Sequence, residues 1–197
     1  MSANRKPGTL NLKSVALILA VLGTVFAVDR LFISWQKNLP DWEKYHNKSF
    51  TCVKCIDGDT IDLNIPDKKY KTTRIRLWGV DTPESVHPRK PVEHFGPEAS
   101  AYTKSLVLNK VVRVELVGNH ERDKYGRLLA YIYLPNGKML NRVLVKNGYA
   151  FADTRYPHPK KADFISQMKA TRKKKIGLWE KATPADLPYY IKGSSRK

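Results

Sequence analysis

Residues 50–65 read FTCVKCIDGDTIDLNI, two runs of β-branched and apolar residues on either side of an acidic turn. Such side chains suit a pleated strand, and Asp-Gly is a frequent pair in tight hairpin turns. The stretch therefore predicts a hairpin and sets a β-based fold. KTTRIRLWGV (71–80), KVVRVELV (110–117) and LLAYIYL (128–134), the last running into a Pro-Asn-Gly turn, have the same character. Helical patterns interleave with these strands. GPEASAYTKSLVL (96–108) carries Pro97 in its first turn, where helices accept proline. Met139 to Lys146 stops at Asn147-Gly148, and KADFISQMKATRKKK (161–175) stops at Gly177. The expected fold is mainly β with appended α: a five-stranded barrel of the OB type with about three helices, plus an N-terminal apolar helix.

The domain limits follow from composition. Residues 1–14 are basic and polar, 36–48 read as a linker or the lead-in to the domain, 49–180 as the barrel domain, and 181–197, with its breakers, as an irregular tail. Between the first two lies an apolar run from Val15 to Val28, 14 residues long. At about 1.5 Å per residue it is too short for a hydrocarbon layer of about 30 Å. Extension to Trp35 supplies the length but takes in Asp29 and Arg30, which would have to snorkel at an interface. Three readings fit: an uncleaved signal anchor over 15–35, a cleaved signal peptide, and an apolar helix packed in a soluble protein. The first two export everything after residue 36, leaving the domain membrane-anchored or secreted.

Charge narrows the partners. Lys and Arg number 36 against 18 Asp and Glu, a formal +18, which favours polyanions such as nucleic acid or anionic lipid. The run TRKKK (171–175) fits either phosphate contacts or a solvated helix end, where cations also suit the dipole. Two cysteines, Cys52 and Cys55, cannot form a four-ligand zinc site. On a regular strand residues three apart point to opposite faces, so the pair is expected neither to bridge nor to chelate.

The acidic turn acquires meaning from a second acidic segment downstream. IDGDT (56–60) by itself is a hairpin turn, but some twenty residues on comes RIRLWGVDTPES (74–85), with Asp81 and Glu84 around a Thr-Pro. If the two strands share a sheet, their carboxylates converge, which is costly unless a cation or a substrate requires them. Hard oxygens suit Ca²⁺ or Mg²⁺, and Arg76 and Arg127 offer planar forks for a phosphodiester. Taken singly, Arg76 could equally be a strand-face ion pair and Arg127 a turn residue.

IDGDT, RLWGVDTPES, HPRKPVEHFGPEAS and DKYGRLLAYIY, in this order, resemble the motifs of staphylococcal-nuclease-like proteins, the thermonuclease family, from about Cys52 to Trp179. The resemblance implies an OB barrel with three helices that uses Ca²⁺ to cleave DNA and RNA, preferably single-stranded and without sequence specificity, with no obligate protein partner. It implies Asp59, Asp81 and the carbonyl of Thr82 as calcium ligands, with Asp57 near the ion but not bound to it. By the same likeness Glu84 is the general base or water-orienting group, and Arg76 and Arg127 bind the phosphate. Lys124, Tyr125 and Tyr156 resemble contacts to the nucleotide. Thr154 stands where the family often has a further tyrosine. The competing reading is a catalytically silent OB module that binds nucleic acid or protein at a membrane.

Overall fold

A computed structural model describes residues 15–24, 39–86, 91–118 and 121–192. The chain divides into two units, Met1–Leu39 and Pro40–Lys197. In the first, residues 15–24 form a helix, α1. No helix among the described residues is long and apolar enough to cross a membrane. The rest of the 15–35 segment, from residue 25 on, lies outside the described residues.

The second unit is built on five strands, β1 (Ser49–Asp57), β2 (Thr60–Leu63), β3 (Thr73–Leu77), β5 (Val111–Glu115) and β6 (Leu128–Tyr133), which close into a barrel in the order β1-β2-β3-β6-β5. All neighbours are antiparallel except β3 and β6. A parallel pair cannot be joined by a hairpin, and the chain between them carries helix α3 (Gly96–Val107) and strand β5. Alternation on β3 sends Thr73, Ile75 and Leu77 into the core with Ile61, Leu63, Val112, Val114, Leu128 and Ile132. Arg76 lies on the other face. Two further strands, β4 (Val80–Asp81) and β7 (Phe151–Ala152), form a separate antiparallel pair. Helices α4 (Leu140–Lys146) and α5 (Lys161–Lys173) pack on each other. Buried Asn141 ties α4 to the barrel: its amide donates to the Trp78 carbonyl (2.9 Å) and accepts from the Ile132 N–H (3.0 Å).

The structure departs from the sequence reading in three places. Residues 36–48 are not wholly a linker: Asp41–Tyr45 form helix α2, and Tyr45 is fully buried, its hydroxyl 2.9 Å from that of Thr73. Nor is the tail wholly irregular, since a turn of helix, α6 (Tyr189–Lys192), forms there, with Leu187 and Ile191 buried against the domain. The two cysteines do not point to opposite faces. The register between β1 and β2 slips between Cys52 and Lys54, so that Cys52 faces Leu63 and Cys55 faces Ile61. Leu63 and Ile61 share one face of their strand, and the bulge therefore gives both cysteines the same side.

Both thiols are free. Burial, the largest cause in each case, pushes Cys52 up to about 11 and Cys55 up to about 12. The thiolate is the reactive form, so neither should be modified by a disulfide reagent at about pH 8 in the native protein, while both should react in denaturant. Rapid native labelling of Cys55 would contradict this packing.

Candidate active site

The acidic turn, Gly58-Asp59 between β1 and β2, is pinned from behind, with the Thr103 hydroxyl of α3 donating to the Gly58 carbonyl (2.6 Å). Asp59 is buried and accepts from the Thr60 hydroxyl (2.9 Å), the Thr82 N–H (3.0 Å) and the Thr82 hydroxyl (3.2 Å). Those contacts bind the first motif to the second. Across them stands Arg76, whose side chain is 13% exposed. Its Nη1 meets Asp59 Oδ2 and its Nη2 donates to Asp81 Oδ1 at 2.6 Å. Two carboxylates 22 residues apart in sequence thus converge on one guanidinium. Burial pulls the Arg76 pKa below its ordinary value; Asp81 opposes that shift, and the nearby Arg127 adds to it.

Asp57 and Glu84 form a second acidic element. Asp57 accepts from the Ser85 hydroxyl (2.5 Å), and Glu84 Oε1 accepts from the Val86 N–H (3.0 Å). Asp57 lies above the usual carboxylate range, chiefly through burial, with Ser85 opposing the shift and Glu84 adding to it. The DKYGR turn supplies the far wall. Asp123 Oδ2 accepts from Arg127 Nε at 2.7 Å and forms an ion pair with its Nη2 at 2.7 Å, which fixes one edge of that guanidinium. Tyr125 is 72% exposed, with Lys124 and Arg127 at 5.1 and 5.4 Å from its ring centre.

All nine residues read from sequence as site residues (Asp59, Arg76, Asp81, Thr82, Glu84, Lys124, Tyr125, Arg127 and Tyr156) line one open cleft of about 1070 Å³. Sequence reasoning missed a group on its rim. The β4–β7 pairing sets Asp81 opposite Phe151 and so draws residues 153–156 to the site. There Arg155 donates to both oxygens of Asp153 (2.8–2.9 Å) and to Asp81 Oδ2 (3.1 Å). The Tyr190 hydroxyl, from α6, donates to the same Asp81 oxygen at 2.7 Å. Hydrogen bonding to Asp153, with Asp81 adding, raises the Arg155 pKa; burial first, then Asp81, raises that of Tyr190. The signal available in the sequence was the Asp-Thr-Arg-Tyr run ahead of Pro157. For Tyr190 there was none.

The donor set suits a hard cation. Asp59 Oδ2 and Asp81 Oδ1 already meet around one positive group, and both are oxygens of the kind that Ca²⁺ and Mg²⁺ take. Among the described residues no group of three or more His, Cys, Asp and Glu is arranged as a full cage. An ion held here would therefore draw on these two carboxylates, with carbonyl oxygen and water completing its shell.

A family model described as Staphylococcal nuclease homologue matches residues 74–181, more than half of the chain. The chain belongs to the staphylococcal nuclease family. It is 42% identical over 135 residues to the thermonuclease of Staphylococcus intermedius, covering 68% of this chain and 77% of that one. The thermonuclease of Staphylococcus hyicus is 41% identical over the same length and shares, and the Bacillus subtilis endonuclease YncB is 36% identical over 136 residues, 67% of this chain and 62% of its own. Membership in the staphylococcal nuclease family accords with the closed five-stranded barrel.

Proposed function

We propose that this nuclease hydrolyses phosphodiester bonds within DNA and RNA, preferring single strands and using Ca²⁺. The observation that carries the reading is the bracketing of Arg76 by Asp59 and Asp81 in a cleft that also holds Glu84 and Arg127. Cleavage of a phosphodiester gathers negative charge on oxygens that are already anionic, so preset positive groups are the main requirement. The forks of Arg76 and Arg127 clamp the phosphate from two sides, as a pair of point charges could not. Glu84 takes a proton from the attacking water or holds it in line. Asp59, Asp81 and the carbonyl of Thr82 would hold the ion, which supplies further charge stabilisation at the phosphate and a site for bound water. Lys124, Tyr125 and Tyr156 receive the neighbouring nucleotide, the rings offering stacking surfaces that tolerate any base. With Thr154 in place of a further aromatic, Arg155 packs between the rings of Tyr156 and Tyr190, at 5.9 and 4.5 Å, and adds a cation to that wall.

The basic stretch ahead of the apolar run supports export, either anchored by that segment or released after cleavage. Cell fractionation separates the two, and a purely cytoplasmic protein would overturn both. The activity is tested by incubating the full chain with heat-denatured DNA, with Ca²⁺ or with a calcium chelator. Digestion is expected only with the ion. Digestion that ignores the chelator would remove the metal assignment, and none in either condition would favour the silent binding module.

A further inference from the structure

The loop between β2 and β3, residues 64–72, reads NIPDKKYKT. It is a tight hairpin: the Asp67 N–H donates to the Tyr70 carbonyl at 3.0 Å, and the Tyr70 N–H donates back to the Asp67 carbonyl at 2.8 Å. Lys68 and Lys69 form its tip, and the Tyr70 ring beside them is 61% exposed. The hairpin is anchored by Arg122, which donates to both oxygens of Asp67 (2.7 and 3.0 Å), to both oxygens of Asp41 (2.5 and 2.7 Å) and to the Gly126 carbonyl (2.8 Å). One guanidinium thus binds the Tyr70 hairpin to the turn that presents Tyr125. Between them is a second cavity, of about 370 Å³, lined by Lys68, Lys69, Tyr70, Tyr125 and Gly126 over a floor of Arg122 and Asp67. Arg122 and Tyr125 also line the main cleft, so the two spaces share a wall.

The chemistry of this space is that of a nucleotide site. It has two aromatic rings on pinned backbone and two ammonium groups, while its one carboxylate, Asp67, is turned onto Arg122, a partner it shares with Asp41. Lys69 Nζ lies 5.5 Å from the Tyr70 ring centre, which sets a cation beside a stacking surface. The volume falls within the roughly 300–1,000 Å³ typical of small-ligand sites. We propose that this cavity is an additional subsite for single-stranded nucleic acid, in which Tyr70 stacks on a base beyond the one at the cleft and Lys68 and Lys69 hold its phosphate. The proposal rests on the nuclease reading and extends it: the strand is gripped over more than the bond it loses.

The test compares a substrate that reaches the subsite with one too short to do so. A p-nitrophenyl ester of thymidine 5′-phosphate fills the cleft alone, whereas an oligodeoxynucleotide of about a dozen residues spans both. Stacking one base on one ring corresponds to roughly 5- to 150-fold in affinity, so Tyr70→Ala should raise KM for the oligonucleotide by about 10-fold. Its kcat should hold within about 2-fold, as should turnover of the ester, since uniform binding is what is lost. Tyr70→Trp should restore the oligonucleotide KM. Lys68→Ala with Lys69→Ala should lower the salt dependence of oligonucleotide binding by about one to two phosphate contacts. Equal losses on both substrates would overturn the subsite, because they would place Tyr70 in the fold or the chemistry, and an unchanged oligonucleotide KM would overturn it too. Equilibrium binding of the oligonucleotide, read by fluorescence anisotropy without turnover, reports on the subsite by itself. If the wild-type chain cleaves nothing, the nuclease reading fails, while loss of binding in Tyr70→Ala still supports the subsite and unchanged binding still removes it.

Discussion

Arg76→Lys is expected to lower kcat on denatured DNA by about 10²-fold or more, with the melting temperature nearly unmoved. The two halves of that expectation have different causes. Arg76 places two N–H groups at a fixed spacing, one against Asp59 and one 2.6 Å from Asp81, and a lysine ammonium cannot reproduce that fork in the transition state. Lysine nevertheless keeps a positive charge between two aspartates, so buried Asp59 is not left without a cation beside it. Arg76→Met would remove that charge, and would confuse a lost clamp with a damaged domain. Equal falls in kcat and kcat/KM would mark an interaction made in the transition state alone. Arg127→Lys should act in the same direction, and the double variant should be far less than multiplicatively worse, because both guanidiniums serve one phosphate. An unchanged kcat in Arg76→Lys would remove it from the clamp and make it a purely structural partner of the two aspartates.

The residues of this site were legible in the sequence where they stand in compact motifs on regular elements. IDGDT occupies the hairpin turn that leads into β2, and VDTPE follows β3 after a short turn, so the pairing of β2 with β3 in the barrel brings Asp59 and Asp81 near each other. The strands and helices α3, α4 and α5 were readable for a related reason: alternation, a proline in a first turn, and glycine stops are local signals. What stayed hidden depends on contacts without a local signature. The bulge in β1 breaks the period-2 pattern and reverses the expected relation of Cys52 and Cys55. Strands β4 and β7 are two residues each, too short for any period, yet they carry Arg155 to Asp81. Tyr190 reaches Asp81 from 109 residues away, out of a tail whose prolines and small residues hide one buried helical turn. Burial of Leu187 and Ile191 holds that turn in place, and no pattern in the tail announces which residues the domain will cover.

Gly148→Ala is expected to destabilise the domain by about 3 kcal/mol or more, a fall in melting temperature of roughly 10 °C. Helix α4 ends in a Schellman-type turn: the Gly148 N–H donates to the Val145 carbonyl (3.1 Å) and the Tyr149 N–H to the Leu144 carbonyl (2.8 Å). Gly148 sits there at φ +71°, which costs an L side chain roughly 1–2 kcal/mol. Sterics add to that cost, since a Cβ at Gly148 would overlap the Ile176 carbonyl oxygen and lie 2.8 Å from the carbon that bears it. The approach is backbone to backbone, and the Leu178 N–H donates to the Gly148 carbonyl at 2.8 Å, so no side chain can swing aside. Gly137 provides the control, at φ +76° with no atom within 4 Å of the place a Cβ would take; Gly137→Ala should cost only the conformational part, about 1–2 kcal/mol. Urea denaturation of both variants separates the two contributions, and equal losses would show that the Gly148–Ile176 approach contributes nothing. The effect should also reach the cleft. The segment held at Gly148 carries Trp179, whose ring packs edge-on against Phe151 at 5.4 Å, and Phe151 is the strand partner of Asp81. Shifting that corner loosens the support of Asp81, so Gly148→Ala should lose turnover at temperatures where it is still folded, whereas Gly137→Ala, whose added methyl meets no neighbouring atom, should not.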